Sequence, residues 1–416
     1  MLRQILALTF IFLCTTIAWM FLGSTIVSRT YGANQQLQGH VASTWGTAQE
    51  QSPPTANYTV MDQTSSTTVE NGKLVVHNQT IERLVPLPLG SSRIRVKIHL
   101  DPRQKGLLWY STYAVDFGGD YVFRNTTDQP QNVAFRLTFP AQKAMYDDLQ
   151  MKINDQTVAV STDEQETVGR ATIPPQTDAK LHVGYRSQGL ESWRYKLADG
   201  IAQARDFQLT MQTNFREIDF ADDTLSPTAK LLIPGGWELT WQYSNLVSGF
   251  QIGMTMPEKL QPGPLAGEIS YAAPVSLFFF FFLVFILSTL RGIDIHPMNY
   301  FFLACAFFAF HLLMAYLCDH ISIHAAFLAS SVVSILLVVS YLRLVAGARF
   351  AVVDAGLSQL IYLVLFSYAF FWRGFTGLSI TVIAIITLFV VMQATGRIRW
   401  SERFAALNRT PLAGIK

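Results

Sequence analysis

Six stretches of this chain are predominantly apolar, at 5–27, 272–290, 298–318, 323–342, 351–371 and 377–394. Each is close to the roughly 20 residues that a helix needs to cross a hydrocarbon core about 30 Å thick. The first follows Arg3 in "MLRQILALTFIFLCTTIAWMFLGSTIVSRT". Its length, and a "GSTIVS" boundary without an A-x-A pattern, predict an uncleaved anchor rather than a signal peptide. The other five are joined by short loops, which predicts a compact antiparallel bundle.

Between the first and second stretches the period changes from continuous to alternating. "IRVKIHL", "YAVDF", "YVF", "VAFRLTF", "LHVGY", "WRYKL", "FQLTM" and "WELTWQY" each place apolar residues at every second position, as half-buried strands do. Gly118-Gly119, "NTTDQP", "IPPQTD" and "IPGGW" read as turn signals between them. Many short antiparallel strands predict a sandwich, or two small sandwiches in series. The expected fold class is therefore a membrane α-helical bundle of six transmembrane helices, one N-terminal and five C-terminal, plus an extracytoplasmic all-β sandwich-like domain. The expected organisation is an anchor at 1–28, a Gln/Ser/Thr-rich polar linker at 29–70, a β domain at 71–270, a five-helix bundle at 271–396 and a basic cytoplasmic tail at 397–416.

Composition agrees: half of the 416 residues are hydrophobic and only 14% are charged, too apolar for an ordinary soluble protein. The net charge of +2 and the lack of basic runs give no support for nucleic-acid binding. Charge placement sets an orientation. With 28–270 outside, the inner face receives Arg3, Arg291, Arg343, Arg349, Arg397, Arg399, Arg403, Arg409 and Lys416, whereas the short outer loops receive only Arg373. That is the positive-inside asymmetry, and it predicts both termini on the cytoplasmic side and the β domain outside. Cys14, Cys305 and Cys318 all lie in or beside apolar stretches, so no disulfide framework is expected.

Candidate chemistry is sparse. Hydrolase, zincin, P-loop and dinucleotide motifs are all absent, and carboxylates such as Asp147-Asp148, Asp219 and Asp222-Asp223 read as turn residues. Ionisable residues within spans are costly and become functional candidates, here His311 and Asp354. His311 is expected to bond a backbone or hydroxyl oxygen in mid-span, and Asp354 to reach the inner interface with Arg349 as its partner. Asp354, Ser358 and Tyr362 form one polar stripe and Ser330, Ser334 and Tyr341 another, marking helix contact or, alternatively, a polar cavity. "CDHISIH" gathers the zinc-ligand types Cys318, Asp319, His320 and His324. Antiparallel spans require a turn between Asp319 and Ser322, however, which takes His320 and His324 off a common helical face and makes Ser322 an N-cap. No metal or cofactor is expected.

With those residues in hand, the chain resembles the CreD family of bacterial inner-membrane proteins as a distant relative. The resemblance rests on "HPMNYFFLACAFFAFHLLMAYLCDHISIHAAFLASS", supported by "ATGRIRW" after the last span and by "RQKGLLWYSTYAVDFGGDYVF" in the β region. It implies a role in envelope maintenance and stress response without an established catalytic activity, and it makes Asp319 and His320 the family-matching positions. The expected function is non-catalytic binding of an envelope protein, glycan or lipid by the outer domain. A transporter using His311 and Asp354 is the alternative, and an outer-surface enzyme at Asp319 and His320 a weaker one.

Overall fold

The computed structural model describes residues 2–70, 73–106, 108–142, 144–197, 202–372 and 374–396. Arg373 and the expected tail 397–416, with its basic residues, lie outside the described residues. The chain divides into two compact units, one holding the N-terminal segment to Gln36 and the chain from Leu260 onward, the other holding Leu37–Lys105 and Trp109–Lys259.

Among the described residues six helices are long and apolar enough to cross a membrane. They begin with Leu2–Trp45, followed by Pro262–Arg291, Pro297–Leu317, Ile323–Ala346, the span Phe350–Phe371, and Thr376–Thr395. Two boundaries differ from expectation. The first helix continues to Trp45, and Thr55–Glu70 is a strand, so the stretch 29–70 is helix and sheet rather than a polar linker. "ANQQLQGHVASTW" contains good helix formers and no proline, and polarity alone does not stop a helix. "TANYTVMDQTSSTTVE" is rich in β-branched residues and pairs along its length with Lys73–Pro86. Polar side chains dominate this strand, so apolar alternation does not announce it.

The second helix starts at Pro262, nearly three turns deeper in the polar flank than hydropathy suggests, with proline in its first turn. Those early residues bring Gly263 and Gly267 onto one face, four apart, against the first helix. A Cβ at Gly263 would stand 2.3 Å from the Thr30 hydroxyl, and one at Gly267 would stand 3.0 Å from Val27. Small residues at this spacing let two membrane helices approach closely. Gly263→Leu is therefore expected to separate the first two helices while Gly249→Leu, in open space, leaves them packed; cysteine crosslinking between positions 26 and 266 reads the difference.

The fifth span is not a plain α-helix. Phe350–Ala355 and Leu360–Leu365 are π-helical and Ala369–Phe371 is 3₁₀. The wide π turns and the tight 3₁₀ turn change which side chains share a face.

In the second unit an eight-stranded sheet runs in the order Gln156–Thr157, Tyr146–Ile153, Asp178–Leu190, Thr112–Arg124, Leu89–Leu100, Ala202–Thr213, Gly236–Ser248, Ala229–Ile233. A five-stranded sheet orders Val160–Thr162, Glu166–Ile173, Gln131–Thr138, Thr55–Glu70, Lys73–Pro86. Their inward faces share one core, in which Phe123 of the larger sheet meets Phe135 of the smaller edge to face. One core means one sandwich rather than two in series. A small third sheet of Gln49–Gln51, Ser192–Tyr195 and Ile252–Thr255 adds Trp193 and Met254 to it.

"NTTDQP", "IPPQTD" and "IPGGW" do form turns, the first built around buried Asn125, which donates to the Gln129, Ile173 and Pro174 carbonyls. Gly118-Gly119 does not. The pair sits in mid-strand, so "YAVDF" and "YVF" are one strand of 13 residues. Gly119 lies under the ring of Tyr121, whose hydroxyl is 2.8 Å from where a Cβ would be. The glycine here makes room for a neighbour rather than for a bend.

Five tyrosines crowd this core. Tyr113 donates to Ser192 O at 2.7 Å, Tyr185 to Gln51 Oε1 at 2.6 Å, Tyr121 meets Tyr195 hydroxyl to hydroxyl at 3.2 Å, and Tyr146 donates to Ala141 O at 2.7 Å. Burial pushes the Tyr146 phenol up to about 12, and it drives the other four higher still. Because the folded state holds these phenols neutral, their contribution to stability is complete below about pH 10, the unfolded value, and falls as pH rises above it. Alkaline titration is thus expected to show phenolate absorbance from these residues appearing together with loss of near-ultraviolet dichroism, not before it.

Candidate functional site

The hairpin between the third and fourth spans is a turn. Helix ends at Leu317, residues 318–321 turn, and Ser322 caps the next helix by accepting from Ala325 N at 3.4 Å. His320 and His324 are on separate elements. His320 is exposed in the turn, and the His324 ring packs 5.1 Å from that of Phe371. Cys318 is buried with its Sγ directed at Ala315 O. Among the described residues no three His, Cys, Asp or Glu side chains gather as a metal-holding group.

Asp319 has a structural partner. Arg29, beyond the apolar part of the first helix, donates from Nη2 to Asp319 Oδ1 at 3.2 Å and to Ala315 O at 3.3 Å, with its guanidinium 5.5 Å from the Tyr316 ring centroid. The cation thus sits at the carbonyl-rich end of the third span, where the helix dipole favours it. The acidic-histidine pair of the turn is split in role: the aspartate ties the anchor to the hairpin, and the histidine is exposed.

His311 is fully buried. Its Nδ1 carries a proton to Phe307 O at 3.0 Å, and its ring meets Trp19 edge to face at 5.6 Å. Its Nε2 has no hydrogen-bond partner among the described residues. Asp354 pairs with Arg291 at 2.7 Å, not with Arg349 as expected. Arg291 closes the second helix at the same end of the unit where the fifth span opens, so it reaches Asp354 across helices. Neither His311 nor Asp354 bonds the other.

The polar stripes tie helices together. Gln359 Nε2 donates to Ser334 Oγ at 2.8 Å, and Ser334 Oγ donates to Ala306 O at 2.7 Å, linking fifth, fourth and third spans. Tyr362 and Thr387 share a hydroxyl contact at 2.5 Å between fifth and sixth spans, Ser276 donates to Tyr362 O, and Tyr341 donates to Asn299 Oδ1 at 2.7 Å. Gln359, fully buried at the centre of this relay, was not marked by any polar period; only its isolation in an apolar run flags it.

A different polar surface lies on the β unit. On the outward face of the larger sheet, Arg93, Arg95 and Lys97 stand opposite Gln208, Thr210 and Gln212 in parallel register. Arg95 also faces Gly118, which faces Gly184, so two adjacent strands carry no side chain there. Asp120 bridges this row, accepting from Arg95 Nη2 at 3.2 Å and meeting His182 Nδ1 at 2.6 Å. Gln212 donates to Glu238 at 2.8 Å. The result is an open groove of about 370 Å³ lined by alternating donors and acceptors. The signal for it was present in the polar alternates of "SRIRVKIHL" and "FQLTMQT", which strand patterning treats only as the wet face.

Helical spans and a β-rich unit define an integral, multi-pass membrane protein. Residues 268–401 match the family described as inner membrane protein CreD, so the chain is a relative of that family through its membrane segment. No curated protein matches it in sequence. Among solved structures it is similar to a Legionella pneumophila protein described as nutrient binding, at 12% identity and a TM-score of 0.35 over 56% of this chain and 76% of that one. It is also similar to an M1 zinc metallopeptidase from Deinococcus radiodurans, at 9% identity and a TM-score of 0.28 over 40% of this chain and 42% of that one. Neither likeness assigns a function.

Proposed function

We propose that the protein is a non-catalytic envelope-maintenance component of the inner membrane, whose β unit faces the periplasm and binds a polar partner, a glycan or protein segment, on its groove. The observation that carries this reading is the contrast between the two polar regions. Gln359, Ser334 and Asp354 of the bundle bond across helices in its interior, whereas the groove carries its polar groups, Arg95 on Asp120, Gln212 on Glu238 and Thr210 between them, on an open face of the sheet. A spent set holds helices in register; an open set of this kind recognises hydroxyl and amide groups. The relation to an inner-membrane family and the positive-inside charge pattern support the compartment.

A photoreactive residue at Thr210, introduced into the full chain in living cells, tests the reading. Discrete envelope adducts at Thr210, abolished by Gln208→Ala with Gln212→Ala and missing from His320, are the expected outcome. Equal labelling at both positions would count against a groove-specific partner. Fusion of a periplasm-active reporter after Gly249 checks the orientation separately.

A further inference from the structure

The phenylalanine run of the second helix lines a feature that the proposed function leaves unused. Phe278, Phe281, Phe282 and Phe285 form, with Phe12 of the first helix and Val391 of the sixth, an apolar groove of about 590 Å³. At one end the groove meets a smaller polar pocket of about 120 Å³. Leu8 and Phe285 line both, so the two adjoin. The polar pocket is formed by Gln4, Ser288, Thr289, Asp294 and Tyr300, where the first helix begins and the second ends.

An apolar trough that opens into a polar pocket at the end of two spans has the form of an amphiphile: chain in one part, headgroup in the other. From Phe278 to Phe285 the trough extends about 10 Å at 1.5 Å per residue, deep enough for much of one acyl chain within a leaflet. The pocket's charge selects the headgroup. Among the described residues its one carboxylate is that of Asp294, held by Gln4 Nε2 at 3.3 Å, and no basic side chain lines it. The nearest guanidinium in sequence, Arg291, is engaged with Asp354 at 2.7 Å. The pocket also lies at the C-terminal end of the second helix, where the backbone carbonyls present partial negative charge. The hydroxyls of Ser288 and Thr289 are turned to the Phe285 carbonyl, at 3.0 and 2.8 Å. A carboxylate at a helix C-terminus favours a cation, and an ammonium with N–H donors can bond it directly.

We infer that this groove and pocket together bind one phospholipid whose headgroup carries a primary ammonium, with an acyl chain against the phenylalanine run and the ammonium on Asp294. The site would give the bundle a lipid of defined chemistry between its first, second and sixth spans. It is independent of any partner of the β unit.

The test uses the full chain, solubilised and reconstituted in nanodiscs with equal amounts of phosphatidylethanolamine, phosphatidylcholine and phosphatidylglycerol, and retained lipid is measured by native mass spectrometry. Phosphatidylethanolamine is expected to be retained at least about tenfold over both others, the worth of one charge-assisted hydrogen bond. Phosphatidylcholine has the same charge without N–H donors and separates direct bonding from general attraction. Asp294→Asn is expected to abolish the preference, and Phe282→Trp, which fills the trough, to lower retention of all three. Equal retention by the wild-type protein overturns the assignment whatever the variants do, as does an unchanged preference in Asp294→Asn.

Discussion

Arg291→Ala is expected to destabilise the membrane unit by about 3–5 kcal/mol, the cost of stripping the partner from a buried charge. Asp354 is 8% exposed and Arg291 38% exposed in their side chains, so loss of the arginine strands a carboxylate that cannot reach water. Loss of the carboxylate is different, because the freed guanidinium can extend toward the headgroups on its flexible stem. Asp354→Asn should therefore cost far less than Arg291→Ala, and the double variant should recover most of the stability. Reversible unfolding of the reconstituted protein, followed by accessibility of Cys318, checks all three. Equal losses in the two single variants would mean that the pair is not buried as a unit. Under the transport alternative, Asp354→Asn would instead abolish activity in a protein that remains stable.

The second large effect belongs to the sandwich. Trp241 is fully buried, and its indole N–H donates to Leu225 O at 2.7 Å. Trp241→Ala removes its contacts with the shared core and is expected to cost about 3–5 kcal/mol, lowering the unfolding temperature of this unit by roughly 10 °C. Trp241→Phe keeps most of the apolar area and leaves only the Leu225 carbonyl without its donor, a loss of about 1–2 kcal/mol. Near-ultraviolet dichroism of the full chain in detergent, with limited proteolysis of the β unit, separates this loss from any change in the helices.

The spans were legible because a continuous apolar run about 20 residues long has few other uses. The sandwich was legible where one face of a strand is wet, as in "IRVKIHL". Both signals fade for the same reason when polarity ceases to follow the environment. The Thr55–Glu70 strand is polar in composition and reads as linker; the start of the second helix is flanked by prolines and glycines and reads as part of the β domain. Gly118-Gly119 carries the composition of a turn but serves the Tyr121 ring and an open outer face.

The candidate residues divided along similar lines. The turn at Asp319 followed from antiparallel geometry, and the hydroxyl stripes from helical spacing. What spacing could not supply was the partner: Arg29 for Asp319 and Arg291 for Asp354 lie 290 and 63 residues away in sequence. The polar groove was hidden because its residues come from separate strands whose neighbours are set only by sheet order.

The proposed function places partner binding in the groove of the β unit and gives the bundle's polar residues a structural role. It is tested most directly by deleting the gene, finding an envelope stress to which the cells become sensitive, and rescuing with two variants that insert to wild-type levels. Arg95→Glu with Thr210→Ala and Gln212→Ala alters the groove; His311→Gln with His320→Ala alters the intramembrane and turn histidines. The groove variant is expected to fail to rescue and the histidine variant to rescue fully. Rescue by the groove variant together with failure of the histidine variant would contradict it.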